Sequence, residues 1–150
     1  MNKYMKEAVN EARLGIRGGH GGPFGCVIVK DGAIIGRGHN MVIKNNDPTC
    51  HGEIMAIRAA CAAEKNFSLK GCELYTTAQP CPMCLGAILW AGIDKVYYGC
   101  NIEDTENIGF KDSEFYNVLK GGGMELKETD RETCLEVFAE YAANEDNQRY

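Results

Sequence analysis

Two short segments near the middle of the chain place potential metal ligands at a fixed separation. The first, Cys50-His51-Gly52-Glu53, offers an imidazole and, two residues later, a carboxylate. The second, Pro80-Cys81-Pro82-Met83-Cys84, offers two thiols in a Cys-x-x-Cys pair. The residues between them are enough for one helix and one strand. In a fold that uses both segments at one site, the helix and the strand between them must bring the second segment back beside the first.

The residue types suit a zinc ion with one open coordination position. His51, Cys81 and Cys84 supply three nitrogen and sulfur ligands, and catalytic zinc sites combine three protein ligands with a water or substrate. Both segments are predicted to begin helices, and the positive end of a helix dipole favours a thiolate. Glu53 follows the imidazole closely and is not needed for coordination. We therefore predict one Zn²⁺ per subunit, with Glu53 as the catalytic acid and base.

Two other interpretations of these segments stay open at this point. A closed, structural zinc site needs a fourth protein ligand, and none of the remaining candidates has a second paired spacing. Those candidates are His20, His39, Cys50 and Cys100. A redox Cys-x-x-Cys pair is the third interpretation, and it leaves His51 and Glu53 unexplained.

Length and charge limit the classes of protein to which the chain can belong. Its 150 residues predict a single domain over residues 1–150. The net charge of −5 and the pI of about 5.2 argue against a nucleic-acid partner, because binding a polyanion needs a basic face. The first residues lack the apolar core of a signal peptide, and the longest apolar run is too short to span a bilayer. We expect a cytoplasmic protein without a membrane partner.

Hydrophobic periodicity predicts helices and strands in alternation. Asp31-Gly32 separates two apolar runs and suits the type I′ turn of a hairpin. The predicted strands are Cys26–Lys30, Ala33–Gly38, Cys72–Thr77, Lys95–Gly99 and Met124–Glu128. The predicted helices cover residues 1–17, 51–64, 81–91 and 112–119, with a last one after a capping box at Thr129 and Glu132. Residues 44–49 and 101–110 are predicted loops.

This order of elements predicts an α/β fold. We expect three layers, α/β/α, with a mixed five-stranded sheet between two layers of helices.

Two segments beside the hairpin are candidates for a ligand-binding wall. Residues 18–25 are glycine-rich, but they lack the Lys-Ser/Thr of a phosphate-binding loop and follow a helix. They are either a flexible connector or a backbone that approaches a small planar ligand, with Phe24 nearby. Asn40 follows the second strand. Its spacing alone favours a turn residue over a pocket residue.

The motifs resemble those of the cytidine-deaminase-like superfamily over nearly the whole chain. His-x-Glu followed by Pro-Cys-x-x-Cys is the pattern of its zinc deaminases. The resemblance implies a three-layer α/β/α fold, zinc bound by His51, Cys81 and Cys84, and proton transfer by Glu53.

Within the superfamily the sequence looks most like the bacterial guanine deaminases. The similar segments are residues 22–25, 46–49, 80–88, 90–91, 109–110 and 112–113, with a C-terminal Tyr150. This resemblance implies hydrolysis of guanine, a free nucleobase, to xanthine and ammonia. It implies that the purine is lined by Phe24, Asn40, Trp90, Asp112 and Tyr150. It also implies a homodimer whose C-terminal tails, about residues 142–150, are exchanged between subunits.

Three departures from the guanine deaminase pattern keep other substrates open. Gly52 stands where that family has Ala, and Gln79 stands where it has Glu before Pro-Cys. Residues 36–41 and 51–54 look like fungal cytosine deaminase instead. The alternatives are therefore cytosine or another amino-substituted pyrimidine or triazine. The tRNA adenosine deaminases share the core motif, although the acidic charge counts against them, and a zinc-binding module without turnover is the alternative from another class.

Overall fold

Four β-strands form a mixed sheet in the computed structural model, which describes residues 2–121, 127–128 and 130–143. The strands are β1 (Gly25–Lys30), β2 (Ala33–His39), β3 (Glu73–Ala78) and β4 (Lys95–Cys100). They lie in the order β2-β1-β3-β4. β1 is antiparallel to both of its neighbours, whereas β3 and β4 are parallel. A parallel pair needs a crossover connection, and here a helix provides it.

The helices lie on both faces of this sheet. They are α1 (Lys3–Arg17), α2 (Val42–Asn45), α3 (Gly52–Glu64), α4 (Pro82–Trp90), α5 (Ile102–Asn107), α6 (Asp112–Leu119) and α7 (Arg131–Ala143). Helix α4 is the crossover between β3 and β4.

Alternate residues of β1 belong to two separate cores. Val27 and Val29 pack with Tyr4 of α1 on one face. Cys26 and Ile28 belong to the core formed with α3 and α4 on the other face. Because successive side chains of a strand point to opposite faces, β1 is buried on both sides. The predicted three-layer α/β/α arrangement is confirmed.

Glycines in β2 allow α3 to lie against the sheet at backbone distance. A Cβ atom at Gly38 would lie 2.4 Å from the backbone nitrogen of Ala56 and 2.5 Å from the carbonyl oxygen of Gly52. A Cβ atom at Gly36 would lie 2.5 Å from the carbonyl oxygen of Ala56. Helix backbone cannot yield to such contacts, so any larger residue would push α3 away. The close approach fixes where α3 begins, and with it the position of the first ligand segment.

The predicted hairpin turn is confirmed, but the strand count is not. Asp31 and Gly32 have φ angles of 50° and 81°, the positive values that a type I′ turn requires. The sheet has four strands over the described residues, not the five that we predicted. Most of the predicted fifth strand, Met124–Glu128, lies outside the described residues, as does Thr129 of the predicted capping box.

The first predicted loop overlaps the end of a short helix, and the second contains one. Residues 44–49 begin inside α2, a single turn, and residues 101–110 contain α5. Asn101 and Asp104 form a capping box in which each side chain accepts a hydrogen bond from the other residue's backbone, at 2.9 Å in both directions. Helix α5 therefore depends on its cap rather than on an apolar stripe. This is why periodicity did not predict it.

Within the described part of the chain, no helix combines the length and the apolar character needed to cross a membrane.

Candidate active site

The two predicted ligand segments both lie at helix starts. His51 is the N-cap residue of α3 and Cys81 is the N-cap residue of α4, each with an extended backbone. Neither residue uses its side chain to cap its own helix. Pro82 occupies the first turn of α4, where a missing backbone N–H costs nothing. Both side chains are thus available to a ligand at the positive ends of two helix dipoles.

The three predicted ligands come together in space. The ligand atoms of His51, Cys81 and Cys84 all lie within 4.8 Å of one another, and both cysteines are buried. The Nδ1 atom of His51 is 3.6 Å from the Sγ atom of Cys81. Tetrahedral zinc with ordinary Zn–N and Zn–S bonds separates such a pair by about 3.6 Å. The donor set and its spacing therefore fit a zinc ion.

The described residues offer no fourth ligand to this group, which consists of His51, Cys81 and Cys84. His20 and His39 are hydrogen-bonded to each other at 2.8 Å. The Sγ atom of Cys50 is buried and accepts a hydrogen bond from Asn45 at 3.5 Å. Cys100 is exposed at the end of β4. A three-ligand site with an open position is the arrangement that this part of the chain supports.

The two cysteines share a hydrogen bond that favours one thiolate. The hydrogen bond from Cys84, with a further contribution from His51, lowers the pKa of the Cys81 thiol to about 4 against the opposing effect of burial. The same bond and burial raise the pKa of Cys84. The hydrogen bond to Cys81 also raises the pKa of the His51 imidazole. A thiolate is the form that binds a metal, so Cys81 is prepared for ligation, whereas Cys84 would lose its proton when a metal binds.

Glu53 is a buried carboxylate beside the ligand group. It lies in the first turn of α3 and its side chain is almost fully enclosed, with the residue 6% exposed. Thr76 of β3 donates a hydrogen bond from Oγ1 to the Oε1 atom of Glu53 at 3.2 Å. Burial raises the pKa of this carboxyl above its ordinary value. A carboxyl held in one position with a raised affinity for a proton suits general acid and base catalysis.

A cavity of about 790 Å³ opens over this centre. Its size falls within the usual range of small-molecule sites. His51, Glu53 and Cys81 form part of its lining, whereas Cys84 is fully buried behind it. Most of the remaining wall is apolar, and α6 and the loop before it contribute much of it.

Three of the five predicted substrate residues line this cavity. They are Phe24, Asn40 and Asp112. Phe24 makes an edge contact with Phe110, with ring centroids 4.8 Å apart. Asp112 begins α6, and burial followed by the charge of Cys81 raises its pKa. These side chains place an aromatic ring and a carboxyl oxygen in the cavity of the reaction centre.

Asn40 serves as both a turn residue and a cavity residue. It is 4% exposed, and its Oδ1 atom accepts a hydrogen bond from the backbone N–H of Val42 at 3.1 Å. Its own backbone N–H donates to the carbonyl of Phe24 at 2.8 Å. Because Oδ1 is used in the turn, the amide nitrogen Nδ2 is the atom that can donate to a ligand. Asn40 therefore acts in the turn and lines the cavity at the same time.

The remaining two predicted substrate residues are Trp90 and Tyr150. Trp90 is the last residue of α4, is 72% exposed, and is not part of the cavity lining. Tyr150 lies outside the described residues.

Several wall residues were not predicted as site residues from the sequence. They are Gln79, Phe110, Phe115, Val118 and Leu119. The three from α6 share one signal: they recur at three- and four-residue spacing after Asp112. That pattern indicates a helix face, but only the fold shows that this face lines the same cavity as the predicted zinc ligands His51 and Cys81.

A family model also matches the sequence around this site. The profile described as "Cytidine and deoxycytidylate deaminase zinc-binding region" matches residues 1–100. The chain belongs to this deaminase family. The match covers both ligand segments, and the zinc-binding character of the family agrees with the three ligands that the fold brings together.

Similarity to one family member extends over the whole chain. The guanine deaminase of Bacillus subtilis is 51% identical over 116 residues, which are 77% of this chain and 74% of that protein. The crystal structure of guanine deaminase from Bacillus subtilis has a TM-score of 0.93 and 40% identity, covering 100% of this chain and 99% of the other. A guanine deaminase structure from Nitrosomonas europaea has a TM-score of 0.69 and 28% identity, covering 89% of this chain and 70% of the other.

Similarity to tRNA deaminases covers the same share of the chain in sequence but a smaller share in structure. The tRNA-specific adenosine deaminase of Streptococcus pyogenes serotype M18 is 44% identical over 116 residues, or 77% of this chain and 70% of that protein. A structure from a study of tRNA:A34 deaminases has a TM-score of 0.63 and 42% identity, and it covers 65% of this chain and 70% of the other.

The three-ligand site predicts which cysteine variants lose zinc. We expect the purified protein to hold about one zinc per chain, and Cys84→Ser to lose most of it because a hydroxyl is a poor zinc ligand. Cys50→Ser is the matched control, since Cys50 is also buried and adjoins His51 but lies outside the ligand group. Metal analysis of the purified variants measures both. Equal zinc content in Cys84→Ser and the wild type would contradict the assignment.

Proposed function

We propose that this protein is a zinc-dependent aminohydrolase that converts guanine to xanthine and ammonia. The observation that carries the proposal is the agreement with Bacillus subtilis guanine deaminase over 100% of the chain, including the α6 segment that walls the cavity. The match to the tRNA:A34 deaminase structure covers only 65% of the chain. The net charge of −5 also argues against a tRNA substrate.

His51, Cys81 and Cys84 would hold one Zn²⁺ per subunit. The chemistry that a bound zinc ion supplies is the activation of a water molecule as a nucleophile near neutral pH. The chain's own contribution is to leave one coordination position facing the cavity, beside the carboxylate of Glu53.

Glu53 is the group that moves protons in the proposed reaction. Its carboxylate takes a proton from the attacking water and passes protons to a ring nitrogen and to the departing amine. The hydrogen bond from Thr76 to Oε1 helps to hold the carboxylate in place for these transfers. The low exposure of Glu53 keeps bulk water away from these transfers.

The cavity wall supplies groups that suit a purine. Nδ2 of Asn40 can donate to an acceptor on the ring edge, and the carboxyl of Asp112 can accept from purine N–H groups. Phe24 can pack on a ring face, with Phe110 set at its edge to keep it in place. This combination of one amide, one carboxyl and an aromatic ring is the kind of convergent polar and apolar lining that fixes a small planar ligand.

Trp90 could reach a substrate only across a contact between subunits. Leu85, Leu89 and Trp90 lie on α4 and are 39%, 69% and 72% exposed, which is unusual for neighbouring large apolar side chains. We therefore include a homodimer in the proposal, with the α4 face at the subunit contact. The exchange of residues 142–150 and the role of Tyr150 stay predictions.

A panel of bases tests the proposed substrate. The purified protein should release ammonia from guanine faster than from cytosine, adenine, cytidine or isocytosine. Cytosine is included because residues 36–41 and 51–54 resemble cytosine deaminase. Turnover of cytosine alone would remove guanine as the substrate. If no base releases ammonia, the enzyme assignment is wrong and a zinc-binding module replaces it.

Replacing the proposed proton carrier separates chemistry from metal binding. Glu53→Gln should keep its zinc, because Glu53 is not in the ligand group. Its deamination rate should fall about 10²–10⁴-fold, the range typical for the loss of a general acid or base. Metal analysis and ammonia release on the same preparation measure both quantities. A variant that retains zinc and stays within about tenfold of wild-type activity would show that another group moves the proton.

The subunit contact is tested by mass in solution. Trp90→Ala should shift the protein from dimer to monomer in light scattering and lower guanine turnover. Leu14→Ala is the control, because it also removes an exposed apolar side chain, 57% exposed, but from α1. A wild-type protein that is monomeric and active would contradict the dimer, and truncation before residue 142 with full activity would contradict the role of the tail.

A further inference from the structure

The glycine-rich loop, residues 18–24, forms one wall of the cavity. Gly21 and Gly22 are lining residues, and their backbones touch other parts of the wall. A Cβ atom at Gly21 would lie 2.0 Å from Oδ1 of Asn40, and one at Gly22 would lie 2.8 Å from Cζ of Phe110. Any shift of this loop therefore moves two groups that face the proposed substrate.

A chain of three polar side chains connects this loop to α1 and β2. Nδ1 of His20, in the loop, is 2.8 Å from Nε2 of His39 at the end of β2. Nδ1 of His39 is 3.0 Å from Oε2 of Glu11 on α1. The side chains of His39 and Glu11 are only 15% and 13% exposed. We call this set the Glu11–His39–His20 chain, and neither the zinc ligands nor Glu53 belongs to it.

The sequence makes room for this chain at one glycine. A Cβ atom at Gly15 of α1 would lie 2.9 Å from Cδ2 of His39. The imidazole rings of His39 and His20 are nearly coplanar and meet edge to edge, with ring centroids 5.1 Å apart and an angle of 19°. The hydrogen bond therefore lies close to both ring planes, which is the direction in which a ring N–H and a ring lone pair point.

His20 also anchors the backbone around the substrate site. Its carbonyl oxygen accepts hydrogen bonds from the N–H groups of Ile43 and Lys44 at 3.0 and 3.1 Å. Its own N–H donates to the carbonyl of Gly15 at 2.9 Å. His20 thus joins the end of α1 to α2, and the turn that holds Asn40 lies directly before α2.

The protons in the Glu11–His39–His20 chain have one consistent arrangement. Ionised Glu11 can only accept, so His39 must donate from Nδ1. Neutral His39 then has its lone pair on Nε2, so His20 must donate from its own Nδ1. One additional proton can be shared, because protonated His39 can donate from Nε2 to a neutral His20. A second additional proton would place an N–H at Nε2 of His39 opposite an N–H at Nδ1 of His20, and the hydrogen bond between the two rings would break.

We propose that Glu11, His39 and His20 are positioning residues for substrate binding, and that protonation of both imidazoles releases the glycine-rich loop. The inference rests on the proposed function, because it concerns the wall of the same cavity. The Glu11–His39–His20 chain does not touch the reacting atoms, so it controls how well the base is held and not the chemical step.

The charges around the two imidazoles set the direction of the pH effect. Glu11 on α1 faces His39, and the positive charge of Lys44 on α2 acts on His20. Burial, then Lys44 and then His39, lowers the pKa of His20 below its ordinary value. A histidine with a lowered pKa in the folded protein stabilises the fold above its unfolded pKa and loses that contribution as the pH falls. Acid should therefore loosen the loop, whereas the contact is intact at neutral pH.

Two substitutions of His20 with guanine as substrate test the proposal. His20→Phe keeps a ring but no donor, and at about pH 8 it should raise KM about tenfold, with kcat nearly unchanged. His20→Asn keeps an N–H near the position of Nδ1 and cannot be protonated. It should restore wild-type KM at about pH 8, and it should lack the rise in KM that we expect of the wild type toward about pH 5.5.

Tyr4→Phe is the matched control, because it removes a different hydrogen bond of α1, the one from the Tyr4 hydroxyl to the Gly32 carbonyl at 2.9 Å. At every pH, the KM of Tyr4→Phe should equal that of the wild type. The proposal is overturned if His20→Phe has the KM of this control, or if His20→Asn keeps the acid rise of the wild type.

A second measurement does not depend on the substrate. The protein has 3 histidines, so nitrogen-detected NMR of the imidazoles can assign each one. At neutral pH both His20 and His39 should carry hydrogen on Nδ1, and an Nε2–H tautomer at His39 would refute the hydrogen-bond chain. If the wild type releases no ammonia from guanine, the proposed function fails, and the NMR result still decides whether the hydrogen-bond chain exists.

Discussion

The meeting of two helix N-termini at one end of the sheet is the constraint on which the rest of the site depends. His51 begins α3 and Cys81 begins α4, and neither side chain caps its own helix. The close packing of α3 on Gly36 and Gly38 fixes the first helix, and the β3–α4–β4 crossover fixes the second. Two helix dipoles and the three predicted ligands then converge on one point, where the thiolate of Cys81, a form that binds zinc, is favoured.

Burial of Glu53 is the second requirement for the chemistry. A carboxylate with this little exposure is costly unless hydrogen bonds or charges compensate it. Thr76 supplies one hydrogen bond, and the metal position beside Glu53 would supply a positive charge. The same enclosure that makes the carboxyl expensive raises its proton affinity and keeps bulk water from the reaction. The fold thus accepts a local cost in stability at the place where proton transfer is proposed.

Local sequence patterns predicted the parts of the site that are local in the chain. The ligands His51, Cys81 and Cys84 lie at helix starts whose spacing and neighbours are visible in the sequence. Phe24, Asn40 and Asp112 came from a family resemblance, and the fold places all three in the cavity. Family membership therefore carried information that periodicity did not contain.

The remaining features depend on contacts between distant segments. Helix α5 is held by the Asn101–Asp104 capping box, and its polar sequence has no apolar stripe to reveal it. Phe110, in the loop before α6, contacts Phe24 although the two residues are far apart in the sequence. The position of Trp90 on an exposed face is likewise invisible in a helical pattern, because periodicity cannot distinguish a face that meets another subunit from one that meets solvent.

The central claim is that the protein holds zinc with three side chains and keeps one position open toward the cavity. X-ray absorption spectroscopy at the zinc edge of the purified protein tests this directly. We expect two sulfur ligands at about 2.3 Å, one imidazole nitrogen and one further light atom at about 2.0–2.1 Å. A third sulfur or a second imidazole would mean a closed structural site, and it would contradict the proposed enzyme.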